Sequence, residues 1–139
     1  MSVDSAGMAA RLGIKPGMVV QELGWDEDAD EDLRDAVIDL SGAEMVDEDT
    51  DEVAEVVLLW WREDDGDLVD ALMDAIGSLA DDGVVWLLVP KSGRPGHVEP
   101  GDVTEAAPAA GLAQTSSISA AKDWSGIRLV TPKTARTRR

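Results

Sequence analysis

The chain has no cysteine, no phenylalanine, no tyrosine and a single histidine, His97. Without a thiol it can form no disulfide, no thiolate nucleophile and no zinc–thiolate site. With one histidine, a multi-histidine metal site is excluded, and a Ser-His-Asp triad would have to be built around His97. Positive charge is also scarce. Lys and Arg number 12 against 29 Asp and Glu, for a net charge of −17. Between Glu22 and Asp82 there are 24 acidic residues and two basic ones, Arg34 and Arg62. Such a surface repels nucleic acid and anionic membranes and favours a basic protein partner or cations; the alternative is that it serves solubility alone. Long apolar runs are missing too. The longest, Val84–Pro90, falls far short of the roughly 20 residues a membrane span requires. The first ten residues carry neither a basic stretch nor a continuous apolar one, so no secretory signal is expected and the expected location is cytoplasmic.

A length of 139 residues with 44% apolar content fits one domain and one core. That core must be filled by Val, Leu, Ile, Ala and Met with the five Trp, which suits helix-on-sheet packing. The expected organisation is a flexible start over residues 1–10, a single α/β domain over 11–131, and a basic, disordered tail over 132–139 containing Lys133, Arg136, Arg138 and Arg139.

The first strand is expected over Met18–Trp25, after the turn signal Gly13–Gly17. A helix follows over about Asp30–Leu40, with Leu33, Ala36, Val37 and Leu40 on one face and Ser41-Gly42 as its stop. Glu44-Met45-Val46 reads as a very short strand. Val56–Trp61 and Val84–Val89 are apolar at every position, as strands buried on both faces are. Between them lies a helix over Leu68–Leu79, capped by Asp67 and ended by Asp82-Gly83. A long loop, Pro90–Pro100, precedes a helix capped by Asp102 that runs to about Ala110. The chain closes with a strand over Gln114–Ala121, a tight turn at Asp123–Gly126 and a return strand over Ile127–Val130. Alternating strands and helices predict right-handed crossovers and a mostly parallel, doubly wound sheet, with the C-terminal hairpin as an antiparallel addition.

In its second half, an apolar strand, a helix, a Gly-led apolar strand, the helix around Glu105-Ala106-Ala107, Gly111-Leu112 and a hairpin follow in order. That order resembles the methyltransferase variety of Rossmann-like fold. Pro90–Gly96 together with Asp123–Leu129 is similar to a family of small actinobacterial proteins of unknown function, over nearly the whole chain. The likeness implies a fold and an actinobacterial source, without an activity. Two departures from the methyltransferase pattern matter. The cofactor loop after the first strand needs a Gly-x-Gly arrangement so that backbone can approach the ligand; here Gly24 is present, and Asp26 stands at the second position. Only about 15 residues separate the first helix from the Val56 strand, so the second and third strands of the pattern are reduced or merged.

The loop after the Val84 strand lies where α/β folds place ligands. Lys91, Ser92, Gly93, Arg94, Gly96 and His97 make it a basic island that suits a phosphate or carboxylate; the alternative is a wide turn with solvated charges. Candidate pocket-lining residues are Gly24, Trp25, Trp61, Arg62, Trp124 and Arg128. Trp60 and Trp61 point to opposite faces of a regular strand, Arg62 is expected to pair with Glu63 or Asp67, and Trp124 either stacks on a ligand or covers the core edge. The alternating acids Asp26/Asp28/Asp30 and Asp47/Asp49/Asp51 lack the Gly and Glu positions of an EF-hand loop. No base or nucleophile stands out. The reading is therefore a non-catalytic regulatory or interaction domain without a cofactor or metal, with a possible small-anion site in the Lys91–His97 loop. The alternative is an S-adenosylmethionine- or nucleotide-binding protein, a minimal methyltransferase.

Overall fold

The computed structural model describes residues 5–50 and 52–131. Its centre is the pair of all-apolar runs. They form β2 (Ala54–Trp60) and β3 (Leu79–Pro90), parallel and in register from Val56↔Val84 to Trp60↔Leu88. A short β1 (Val20–Leu23) lies parallel on the outer side of β2. On the other side, β5 (Trp124–Val130) runs antiparallel to β3 and to β4 (Ala113–Ser119), giving the order β1-β2-β3-β5-β4. Four strands thus share one direction and β5 opposes them.

Side chains alternate across a strand, so an uninterrupted apolar run builds two cores. Val57, Leu59 and Trp61 join Val85, Leu87 and Val89 beneath α3 (Leu68–Ile76) and α4 (Pro100–Ala109). Val56, Leu58 and Trp60 join Trp86 and Leu88 beneath α1 (Ser5–Arg11) and α2 (Glu31–Ser41). Val57, Leu58, Trp60 and Leu87 are fully buried, and burial of each such side chain stabilises the fold by about 1.5–3 kcal/mol. Helices on both faces of a mostly parallel sheet make this a reduced doubly wound α/β fold with a C-terminal antiparallel hairpin. Among the described residues no helix is long and apolar enough to cross a membrane.

Several boundaries differ from those expected. Residues 5–10, expected to be flexible, lie in α1, which with the turn after it buries Ala9, Leu12 and Ile14. Trp86 Nε1 donates to Leu12 O at 2.8 Å and ties this segment to the sheet. Helix α3 ends at Ile76, not Leu79, because Ala54 N donates to Ser78 O at 2.7 Å and draws Leu79 into the sheet. Asp82-Gly83 therefore lies inside β3, where residues 80–83 bulge out opposite Glu55 alone. Helix α4 opens on Pro100 at its first turn, with Glu99 and not Asp102 at the cap position; proline suits that place because its missing N–H would have no helical partner. In the hairpin, Trp124, Ser125 and Gly126 belong to β5, since Trp124 is buried and pairs with Pro90. The tail over 132–139 lies outside the described residues.

Candidate functional site

The site is set by a reversal of the chain around β1. From β1 the chain passes through α2 and returns to the outer edge of β1, where Val46 N donates to Val20 O and Glu22 N to Val46 O. The short strand expected at Glu44–Val46 is this single parallel bridge to Gln21. The chain then crosses to β2, on the inner edge. Strand order thus switches between β1 and β2, and α/β folds place ligands at the carboxyl ends of strands at such a point.

Those ends are held by the chain's own groups. Gly24 follows β1 with φ +76°, and a Cβ there would fall far inside van der Waals contact of Trp60 O. Next to it, the Arg62 guanidinium donates to Gly24 O (2.7 Å), Asp28 Oδ2 (3.1 Å) and Asp65 Oδ2 (3.2 Å) and lies over the Trp124 ring at 5.2 Å. Arg62 therefore pairs with Asp28 and Asp65, not with Glu63 or Asp67. Burial pulls its pKa down, but the bonds to Asp28 and Asp65 more than offset this and hold the guanidinium above its ordinary value. In turn, the hydrogen bond from Arg62 holds Asp28 below the usual carboxylate range, against the opposing effect of partial burial. Trp124 is 3% exposed. It meets Trp60 edge-on at 4.8 Å and donates to Asp28 O at 3.2 Å, so it covers the core edge.

A second network lies behind the first. Arg34 Nε and Nη2 clamp Glu22 at 2.6 and 2.8 Å, and Trp60 Nε1 donates to the same carboxylate at 2.9 Å. Glu22 raises the Arg34 pKa above its ordinary value, against partial desolvation. Glu31 accepts from Trp25 Nε1 and from Arg34, which together lower its pKa, and Arg34 lies over the Trp25 ring at 5.6 Å. Glu22, Arg34, Asp28 and Gln21 were not singled out by sequence reasoning. The available signal was that Arg34 and Arg62 are the only two cations in the long acidic stretch.

On the α3 side of β1 a cavity of about 650 Å³ remains, lined among others by Gln21, Leu23, Trp25, Glu48, Trp61 and Asp74. Gln21 is 3% exposed. Its Nε2 donates to Asp47 O at 3.0 Å, while its Oε1 is buried without a partner. Of the candidate lining residues, Gly24, Trp25, Trp61 and Arg62 meet at this cavity. Trp60 and Trp61 indeed enter opposite cores. Arg128 does not join them: it pairs opposite Trp86, well back from the strand ends, and donates to Thr115 Oγ1.

The Lys91–His97 loop lies over the neighbouring strand end and is fastened to the hairpin by Lys91 N–Asp123 O at 2.9 Å. Its basic side chains have partners within the chain. Lys91 Nζ meets Ser119 Oγ, Arg94 pairs with Asp123, and His97 Nδ1–H donates to Pro90 O at 3.0 Å. Gly96 packs on the Arg62 side chain, while Ser92 and Gly93 form the exposed tip. A cleft of about 170 Å³ lies between Arg94, Asp123, Trp124 and Asp28.

The fold is that of the methyltransferase-like Rossmann domains. The chain resembles a SAM-dependent methyltransferase from Aquifex aeolicus with a TM-score of 0.62 at 13% identity, over 91% of this chain and 88% of that one. A TehB-like SAM-dependent methyltransferase from Corynebacterium glutamicum gives 0.57 at 13% identity, over 94% and 89%. The glycopeptide N-methyltransferase MtfA in complex with S-adenosyl-L-methionine gives 0.59 at 13% identity, over 94% and 88%. Within that fold the chain belongs to the DUF3052 family, a protein family of unknown function, whose profile matches residues 9–133. Uncharacterized proteins of Mycobacterium bovis and Mycobacterium tuberculosis are 57% identical to it over 129 residues, spanning 93% of this chain and 81% of each relative. The resemblance to an actinobacterial family therefore holds.

Proposed function

We propose that this chain is a non-catalytic interaction domain, regulatory in role, on a methyltransferase-like scaffold whose cofactor crevice is partly occupied from within. One observation carries this reading: at the switch point Arg62 is engaged by the chain's own groups, bonded to Gly24 O, Asp28 and Asp65 and backed by Trp124, and forms part of the wall of the cavity that remains there. The residues present do not fit S-adenosylmethionine in the manner of that fold. The space left by Gly24's missing side chain is taken by the Trp60 carbonyl, and Asp26 puts a carboxylate where a second glycine would expose its N–H. The partner is a basic protein, since 24 acids face two cations between Glu22 and Asp82 and both of those cations are engaged internally.

The alternative, a nucleotide- or S-adenosylmethionine-binding protein, is favoured by the size of the remaining cavity, about 650 Å³, which lies within the ~300–1,000 Å³ range of ligand pockets. Isothermal calorimetry with S-adenosylmethionine, its demethylated product and ATP separates the two readings. The expected result is no saturable heat. A micromolar Kd, about −8 kcal/mol, would restore the cofactor reading. As part of the same proposal, the Lys91–His97 loop senses a small anion, which must displace Asp123 from Arg94.

A further inference from the structure

We infer that the cavity beside β1 is a guanidinium-binding groove that takes an arginine side chain from a basic, extended segment of the partner. This rests on the interaction-domain reading above and names its site and guest. Three independent observations agree on that chemistry.

The first is the orphaned acceptor. Gln21 lines the cavity, is almost wholly buried, and has its amide orientation fixed by Nε2 donating to Asp47 O, which leaves Oε1 without a donor. An unmet buried acceptor is destabilising, so a guest that brings an N–H is favoured. The second is charge. Asp26, Glu48 and Asp74 line the same cavity, and among the described residues none of them is ion-paired, whereas Arg62, the cation that also lines it, is already paired with Asp28 and Asp65. The guest is therefore a cation. The third is the wall. Leu23, Leu59 and Trp61 are apolar, and Trp25, whose ring already has Arg34 over it, is still 49% exposed. Apolar walls cover methylenes, and an indole attracts a flat, weakly hydrated cation. A guanidinium offers five N–H donors in a plane and stacks on aromatic rings, whereas an ammonium is compact and strongly hydrated. The cavity of about 650 Å³ exceeds the space that one side chain needs, so the guest arrives as part of a segment.

The test is fluorescence anisotropy with three labelled repeat peptides, Arg-Ala, Lys-Ala and Glu-Ala, titrated with the whole chain at two salt concentrations. The Arg-Ala peptide is expected to bind, the Lys-Ala peptide about tenfold more weakly, and the Glu-Ala peptide not at all. The surface double variant Glu48→Gln/Asp74→Asn should weaken Arg-Ala binding about tenfold, through the loss of two charges facing the guest. Gln21→Leu should weaken it as well, while Glu105→Gln, which removes an exposed charge on α4, should leave it unchanged. Thermal melts of each variant establish that it folds, and the double variant changes only exposed side chains. Binding of Arg-Ala that the double variant leaves intact overturns the groove and keeps the interaction reading. Equal affinity for Lys-Ala overturns the guanidinium assignment. Failure of both basic peptides overturns the groove and the partner chemistry together.

Discussion

At the scale of single residues, the same amino acid does different work depending on what faces it. Gly24 and Gly93 both have positive φ, +76° and +87°. Around Gly93 a Cβ would meet nothing within 4 Å, whereas at Gly24 it would collide with the Trp60 carbonyl, which is backbone and cannot rotate away. Gly93→Ala should therefore cost only the left-handed conformation, about 1–2 kcal/mol. Gly24→Ala adds displacement of β1 from β2 and should cost about 3 kcal/mol or more. Urea unfolding of the two variants checks this, and equal losses would show that Gly24 is not a packing glycine. If Gly24 instead faced open space for a ligand, its substitution would change binding and leave stability close to that of Gly93→Ala.

At the scale of elements, α2 shows what a local signal can deliver. Asp30 Oδ1 accepts from Leu33 N at 2.8 Å, Leu33 and Val37 are buried, and Gly42 ends the helix at φ +87°. All of these lie close together in the chain, and the helix, its apolar face and its stop at Gly42 were legible from sequence, although Asp30, expected as the first helical residue, is its cap. Asp30→Ala should cost about 1 kcal/mol. Asp102→Ala should cost less than about 0.5 kcal/mol at moderate salt, because α4 is opened by Pro100, Asp102 makes no cap bond, and salt screens what remains of its dipole interaction. Urea midpoints at ~0.3 M salt distinguish the two, and a comparable loss at Asp102 would restore it as a cap. Where the sequence misled, the deciding contact was distant. Leu79 fits a helical face as well as a strand, and only Ala54 N reaching Ser78 O settles the matter. The candidate site follows the same division. The opposed faces of Trp60 and Trp61 follow from a period of two, but Arg62 bonds Asp28, 34 positions earlier, which no local pattern announces. Gln21 reads as one more residue of an apolar strand until the return of the chain at Val46 closes over it.

At the scale of the whole molecule, the net charge of −17 works against the compact state. Both cations of the acidic stretch are already engaged, Arg34 with Glu22 and Glu31 and Arg62 with Asp28 and Asp65, so most of the carboxylates face one another across water. Sodium chloride shortens the screening length from about 30 Å at 0.01 M to about 3 Å at 1 M. That removes long-range repulsion while sparing the partly buried Glu22–Arg34 pair, so Tm should rise with salt, by roughly 4 °C for each kcal/mol gained. Acid acts in two opposed steps. Between pH 7 and about 5, partial protonation relieves repulsion, and Tm should rise or hold. Asp28 is different because Arg62 favours its ionised form in the folded state, placing its folded pKa below the ordinary 3.8. Its stabilising contribution is complete above about pH 4 and is lost as pH falls through the lower folded value. Glu31, lowered by Trp25 and Arg34, acts in the same direction. Tm should therefore peak near pH 5 and fall below 4, and Asp28→Asn should flatten that acid limb. A Tm that falls with added salt, or that climbs steadily to pH 3, would mean that ion pairing and not self-repulsion governs this surface.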